Sequence, residues 1–390
     1  MALAATRPTR IDPSADIPAG PVTPTLYLAF ELGVREWKLG LTSGLGQPPR
    51  FRTLPARDLT ALMTELARAK ARFGLAATAA VVSCYEAVRD GFWLHRALLA
   101  QGVANVVVDS ASIEVNRRMR RAKSDRLDAG KLLGLLLRSA QGERRVWSVV
   151  HVPAPADEER RQLHRELQQM THERTRHCNR IKGLLATQGV VLATLADLPT
   201  QLPVLRTWEG AALGPDLHAR LEREWARLQL VVQQRHGLRR ARHVLLRTAP
   251  ADDPVVRRVR QLLALRAIGI ETAWLYVMEF FGWRAFANGR EVGALAGLTP
   301  TPYASGLSVR EQGISKAGNR RVRVMAVESA WLWLRFQPQS ALAQWYHARF
   351  ATGGSRARRI GIVALARKLL IALWRYLETG EVPAGAILKA

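Results

Sequence analysis

The chain has 390 residues, 48% of them hydrophobic, which is enough for two or three folded domains. Its 58 Lys and Arg against 32 Asp and Glu leave a net charge of +26. That balance sets it apart from ordinary small-molecule enzymes and points to a polyanion, DNA or RNA, ahead of an anionic membrane surface. Only two cysteines occur, Cys84 and Cys178, so a disulfide framework and a cysteine zinc site are excluded, and a reducing cytosol fits.

No apolar run is long enough to span a membrane. Residues 1–24 are rich in Pro, Ala and Thr without a hydrophobic signal core, and are predicted to be a disordered tail. From Thr25 the pattern turns to strands. Leu26–Glu31 and Trp37–Leu41 flank a turn at Gly33 and read as a hairpin, with Phe51–Leu54 as a third strand. Asp58–Phe73 places apolar residues three and four apart, the spacing of an amphipathic helix. Ala79–Ser83 reads as a buried strand ending at Glu86, Gly91–Ala100 as a helix, and Val103–Asp109 as another buried strand.

Ser124 is a good N-cap and the leucines after it recur at helical spacing, so a further helix should begin there. Asp125 and Asp128 then stand i and i+3 on its first turn, with both carboxylates on one face. Acids so placed repel each other unless a cation sits between them, and a hard divalent ion such as Mg2+ is the usual solution. Arg117, Arg118, Arg120, Arg121, Lys123 and Arg126 crowd around the pair, a setting suited to a phosphodiester substrate. Complementing the helix dipole is the plainer account of the same acids.

Three strands, then helix, strand, helix, strand, helix, is the order of a ribonuclease H-like (RuvC-like) α/β domain, predicted over 25–155. On that template Glu31 ends the first strand, Glu86 follows the fourth, and Asp125 and Asp128 open a late helix. Taken singly, each acid is better explained as a strand end, a turn residue or a dipole partner; their arrival in register on one template is what favours a shared site.

Arg144–Pro155 reads as a connector. Asp157–Gly189 and Pro215–Thr248 are long, charged and helical, with a loop near Leu192–Gly214. They are expected to form a coiled-coil dimerisation arm over 156–252. Arg160, Arg161, Arg165, Arg174, Arg176, Arg180 and Lys182 give it a basic face suited to nucleic acid. His164, His172 and His177 read as surface or phosphate contacts.

The last part, 253–390, is predicted to be mainly helical. Leu262–Ala273 is similar to a helix-hairpin-helix turn that grips a phosphate, although Ala267 stands where that motif prefers glycine; helix packing accounts for the stretch equally well. Glycine-punctuated loops follow, first Leu295–Gly306 with Ser305, then Gly313–Arg323 with Lys316, Asn319, Arg320 and Arg323. Loops of this kind, between apolar helices, are where functional groups usually sit. Ile360–Tyr376 reads as an amphipathic helix with a basic face. Core filling is the expected role for Trp208, Trp225, Trp283 and Trp331.

The set formed by Glu31, Glu86, Asp125-x-x-Asp128, the Gly-Leu-x-Pro…Ser305-Gly306 segment, Gly313-Ile-Ser-Lys-x-Gly-Asn-x-x-x-Arg323 and Ala366–Leu370 resembles the DEDD transposases. These are insertion-sequence recombinases related to the pilin gene invertase Piv. The resemblance runs from about Leu26 to Ile371. It implies a RuvC-like nuclease domain, a helical coiled-coil segment and a C-terminal transposase domain. It further implies that Glu31, Glu86, Asp125 and Asp128 bind Mg2+ and that Ser305 forms a covalent phosphoserine link to a DNA strand. A structured non-coding guide RNA, pairing with donor and target DNA, belongs to the same implication, as does a homo-oligomer, a dimer or tetramer.

Where the family has Asp as its first acid, this chain has Glu31, one methylene longer, and Mg2+ demands near-octahedral geometry at short range. The expected protein is therefore a transposase, bacterial, cytoplasmic and nucleoid-associated. A Holliday-junction-type nuclease using water and an inactive RNA- or DNA-binding protein are the alternatives.

Overall fold

The computed structural model describes residues 24–87, 91–113, 125–144, 146–305 and 308–389. The predicted tail up to residue 23, the basic residues Arg117, Arg118, Arg120, Arg121 and Lys123, the N-cap Ser124 and Gly306 fall outside these. The chain divides into two compact units, 1–152 and 153–390.

In the first unit β1 (Thr25–Leu32), β2 (Glu36–Thr42) and β3 (Arg50–Pro55) form an antiparallel meander. Gly33 makes the first turn possible, because a Cβ there would lie 2.4 Å from the Glu36 carbonyl oxygen. On the other side of β1, β4 (Ala80–Glu86) and β5 (Ala104–Val108) join in parallel, so the mixed sheet has the order β3-β2-β1-β4-β5.

Strand alternation divides the side chains between the two faces. Leu26, Leu28 and Phe30 point to one face, where α1 (Leu59–Arg72) inserts Leu62, Leu66 and Ala69 and α2 (Trp93–Ala100) inserts Leu94 and Leu98. The Asp58 carboxylate starts α1 by accepting the Ala61 amide at 2.8 Å. Ala29, Val82, Cys84, Val106 and Val108 point to the opposite face, covered by Leu132, Leu133 and Leu136 of α3 (Asp125–Ala140). Each of these leucines is worth roughly 1.5–3 kcal/mol on burial. Two glycines let α3 come close: a Cβ on Gly40 would be 3.3 Å from the Ala129 carbonyl oxygen, and one on Gly130 would be 3.3 Å from the Phe51 ring.

The second unit begins with α4 (Pro155–Ala186), followed by the short α5 (Leu198–Gln201) and the long α6 (Pro215–Thr248). His177 meets Glu224 on α6, and Arg174 and His164 feel the charges of Arg235 and Arg242 in turn, so α4 and α6 run antiparallel. Their distal halves share a small core with the connecting segment, built on Ile181, Leu185, Leu198, Leu202, Leu221 and Leu228. Their proximal ends pack, through Leu163 and Leu246, on the larger core formed by the rest of the unit.

That core is built around α8 (Ile270–Tyr276), which widens into a π turn over Val277–Phe281. Residues 272–281 are buried throughout, as a helix apolar on all sides must be. Around it stand α7 (Pro254–Leu263), α9 (Gly289–Leu295), α10 (Arg320–Phe336), α11 (Ala341–Phe350) and α12 (Ser355–Thr379). A two-stranded hairpin, β6 (Pro300–Ser305) and β7 (Ser308–Ile314), interrupts them. Asp253 caps α7 by accepting the Val255 and Val256 amides, with Pro254 at the first helical position.

Several expectations need correction. The α7–α8 turn has Ala267 in the left-handed region at φ 76°, but its Arg266 and Ile268 amides donate to the Ile387 and Leu265 carbonyls. Those two donors are therefore engaged within the fold, and packing explains the stretch better than a phosphate grip. Trp208 is 76% and Trp331 50% exposed, so neither fills the core; Trp274 and Trp333 do. His164, expected at the surface, is 1% exposed. No helix among the described residues is long and apolar enough to cross a membrane.

Candidate active site

The strand acids are set by register. Phe30 on β1 pairs with Tyr85 on the parallel β4, so the next residues, Glu31 and Glu86, sit side by side where the two strands end. By alternation they share the face of Ala29 and Cys84, which is the face that α3 covers. Both are half-buried. On its other side Glu31 is registered with Lys38 of β2, whose ammonium is held by Thr53 at 2.8 Å. Burial, and then the charge of Glu86, pushes the Cys84 thiol well above its ordinary range.

Asp125 and Asp128 occupy the first turn of α3, Asp125 exposed and Asp128 half-buried. Arg126, between them in sequence, places its guanidinium 4.8 Å from the centre of the Phe51 ring on β3. All four acids thus lie on one face of the sheet or on the helix that covers it. Carboxylate oxygens are the donors that a hard divalent cation takes. Among the described residues, however, no three His, Cys, Asp or Glu stand together closely enough to hold a metal ion.

Ser305 is exposed at the end of β6, paired across the hairpin with Ser308. The base of this hairpin is fixed by backbone contacts between two loops. The Ser315, Lys316 and Asn319 amides donate to the carbonyls of Thr299, Gly297 and Leu295 at 2.8, 3.2 and 2.8 Å. Both Gly297 and Gly318 have positive φ. A Cβ on Gly297 would fall 2.0 Å from the Ala317 carbonyl oxygen, and one on Gly318 would fall 2.1 Å from that of Leu295. Only glycine satisfies both the torsion and the contact. The Gly-rich segments around the serine are therefore scaffold, and what they hold is the hairpin.

The basic residues of the site divide into two groups. Asn319 accepts the Arg321 and Val322 amides, capping α10, while its own amide donates to the Glu279 carbonyl at 3.3 Å. Arg323 donates to the Ala296 carbonyl at 3.2 Å. Lys316 and Arg320 are exposed beside them. On the arm, Arg161 is buried, Arg165 binds Glu279 and Arg180 binds Glu224, so these three are structural. Arg174, Arg176 and Lys182 are exposed.

A buried polar network, not anticipated from the sequence, joins the arm to the hairpin base. Glu279, on the π turn, accepts two hydrogen bonds from Arg165 of α4 at 2.9 and 3.1 Å and one from Arg321 of α10 at 3.0 Å. Burial alone would raise its pKa; the Arg165 hydrogen bonds and the surrounding positive charge outweigh that and hold it below the usual carboxylate range. Nearby, Arg242 pairs with Glu271 through two hydrogen bonds at 2.7 and 2.6 Å, which lower the Glu271 pKa. His164 lies between these pairs with no partner on either ring nitrogen, and burial lowers its pKa to about 4. A sequence signal for Glu279 does exist: it is the one charge inside the otherwise apolar run 272–281.

The model of the transposase IS116/IS110/IS902 family matches residues 259–345, from the second half of α7 to the first half of α11 and including the Ser305 hairpin. A Sinorhizobium fredii protein named as transposase y4rJ is 41% identical over 377 residues, covering 93% of this chain and 94% of its own length. The transposase for insertion sequence element IS1328 of Yersinia enterocolitica is 28% identical over 229 residues, 56% of this chain and 63% of the relative. A 43.6 kDa protein of insertion element IS110 from Streptomyces coelicolor is 26% identical over 168 residues, 42% of this chain and 39% of the relative.

Proposed function

Because the chain belongs to the IS116/IS110/IS902 transposase family, we propose that it cuts and rejoins DNA strands at the ends of an insertion sequence, with a metal-binding acidic site in the first unit and a serine nucleophile in the second. The observation that carries this reading is the placement of Glu31 and Glu86 side by side on β1 and β4, on the face covered by the helix that opens with Asp125 and Asp128. The sheet order β3-β2-β1-β4-β5, with helices on both faces, supports a ribonuclease H-like assignment for this unit.

Glu31, Glu86, Asp125 and Asp128 are the carboxylates that would hold Mg2+ once drawn closer together than they stand here, since no three of them are within reach of one ion in this structure; the ion would supply charge neutralisation at a scissile phosphate. The chain's own groups do the rest. The Ser305 hydroxyl, exposed at the end of the hairpin, would attack phosphorus: the Oγ–P bond forms as the P–O bond to the deoxyribose breaks, and solvent water takes the serine proton and returns one to the displaced deoxyribose oxygen. The Gly297 and Gly318 contacts fix the base of the hairpin whose far end carries the Ser305 hydroxyl. Lys316 and Arg320 next to the hairpin base, and Arg174 and Lys182 on the arm, supply positive charge for the phosphate backbone.

An excess of 26 positive charges accommodates a guide RNA as well as DNA. The carboxylates and Ser305 lie far apart in sequence, which favours a homo-oligomer, the α4–α6 arm joining the copies, with active sites completed between protomers. Regained activity on mixing Asp125→Ala with Ser305→Ala protein is the expected result, and a mixture as inactive as its components would oppose it.

The deciding experiment incubates the protein and its co-purifying RNA with labelled element-end DNA and Mg2+, then resolves the products on a denaturing gel. Label retained on protein in the wild type, and lost in both Ser305→Ala and Asp125→Ala, is expected. Cleavage without an adduct that survives Ser305→Ala would instead mean a water-using nuclease. Tight binding with no cleavage would mean a binding protein.

A further inference from the structure

The arm carries a cavity of about 370 Å³ between α4, α6 and the connecting segment 193–196. Its floor is apolar, with Leu195 and Leu228 both buried. Trp225 stands half-buried in one wall. Arg174, Cys178 and Lys182, one on each of three successive turns of α4, line the opposite wall. Thr194 and Gln229 add hydrogen-bonding groups, and no acidic residue lines the space. Among the described residues neither Arg174 nor Lys182 has an ion-pair partner.

Arg235 on α6, outside the lining but near enough to feel Arg174, is destabilised as a cation first by burial and then by the charges of Arg239 and Arg174, with Glu271 opposing, and its Nε has no hydrogen-bond partner. Two cations lining an aromatic and apolar hollow, with no acid among the lining residues, are suited to a ligand that is anionic at one end and flat and apolar at the other. The volume lies near the lower end of small-ligand pockets, about 300–1,000 Å³, so a base pair does not enter.

We propose that this cavity binds one unpaired nucleotide of a bound RNA or DNA strand, with the base against Trp225 and the apolar floor and its phosphate at Arg174 and Lys182. Stacking on an aromatic ring tolerates any base, while Gln229 and Thr194 offer a donor and acceptor set for a base edge. The site would select an unpaired nucleotide over duplex because a base held in a helix cannot leave its stack without cost. The inference rests on the reading of this chain as a nucleic-acid enzyme and adds to it a place and a strand state.

Cys178 makes the test direct. The other cysteine, Cys84, is fully buried with its thiol pushed far up, so Cys178 is the thiol that reagents reach in the folded protein. The alkylation rate of Cys178 by iodoacetamide is measured in the full-length protein with saturating single-stranded RNA, single-stranded DNA or fully paired duplex of the same length. Fluorescence anisotropy establishes saturation in each arm.

Single strands are expected to slow alkylation about tenfold or more, in line with the occupancy that base stacking sustains, and duplex is expected to leave it nearly unchanged. Protection by RNA alone or by DNA alone would identify the strand. Arg174→Gln with Lys182→Gln should abolish protection. Arg176→Gln, with one charge lost rather than two at an exposed position of the same helix outside the cavity, should retain it, whereas Arg174→Gln alone, the matched single loss, should weaken it. Bound single strand that leaves Cys178 as reactive as before, duplex that protects equally, or protection lost equally in Arg176→Gln would each overturn the proposal while leaving the family function intact. An absence of binding to every nucleic acid in the anisotropy arm would take the underlying reading down with it.

Discussion

His164 offers the sharpest test of the buried network. The ring is 1% exposed, faces Glu279, Glu271, Arg321 and Arg242, and has no hydrogen-bond partner on either nitrogen. Burial disfavours its charged form, so its pKa falls from the ordinary 6.5 to about 4 in the folded state, with the two arginines adding to the fall and the two glutamates opposing it. The unfolded chain therefore binds a proton that the folded chain refuses whenever the pH lies below about 6.5. Stability is lost as the pH falls through that window and stops falling once the folded ring also protonates, near 4.

Between pH 7 and pH 5 this single group should cost about 2 kcal/mol, since each unit of pKa difference corresponds to about 1.4 kcal/mol. Urea unfolding followed by tryptophan fluorescence, at both pH values, on the wild type and on His164→Leu, isolates it: other titrations are common to both proteins and cancel. The wild type should lose about 2 kcal/mol more than the variant on going to pH 5. Equal losses would show that His164 is not held neutral in the folded protein, and the account of this network would fail.

Three further outcomes follow from local geometry. Ala267 sits at φ 76°; Ala267→Gly removes a left-handed strain of about 1–2 kcal/mol against a smaller entropic loss, so the melting temperature should rise by a few degrees, and a fall would contradict the strain argument. Gly318→Ala drives a methyl to 2.1 Å from the Leu295 carbonyl oxygen; strain and overpacking should cost about 2–4 kcal/mol and abolish strand cleavage by displacing the Ser305 hairpin, with a fully active, equally stable variant as the refuting result. Glu279→Gln weakens two charge-assisted contacts at once; because Arg165 and Arg321 are each nearly half exposed, the loss should be about 1–3 kcal/mol rather than that of a fully buried pair, and heat denaturation of the purified variant checks it.

Local pattern carried much of the first unit. The alternation in Leu26–Glu31 and Trp37–Leu41, the apolar runs from Ala79 towards Glu86 and from Val103 to Asp109 and the leucine spacing after Asp125 each specify an element from within a few residues, and the fold has those elements within a residue or two of where the spacing puts them. The long helices of the arm and the C-terminal α12 were legible for the same reason, since a helical face repeats within one segment. The types of the candidate groups, acids at strand ends and a serine between glycine-rich segments, were also visible in order along the chain.

What the sequence could not decide was which polar groups meet. His164 and Arg161 share the charged, open-looking composition of α4 with Arg174 and Lys182, yet the first two are buried and the last two face solvent. Nothing within α4 separates them; the difference arises because α8 and its π turn pack against one end of the helix and the connecting segment against the other. In the same way Gly313–Arg323 looks like a functional loop by composition, whereas the contact of Gly318 with Leu295 makes that glycine a support of the hairpin base. Within the chain itself, then, the periodicity of hydrophobic residues determined the elements and their excess charge determined the class of partner, because both are local or additive properties. Burial, ion pairing and the anchoring of the hairpin base were settled only by the tertiary structure, because each depends on a neighbour distant in sequence.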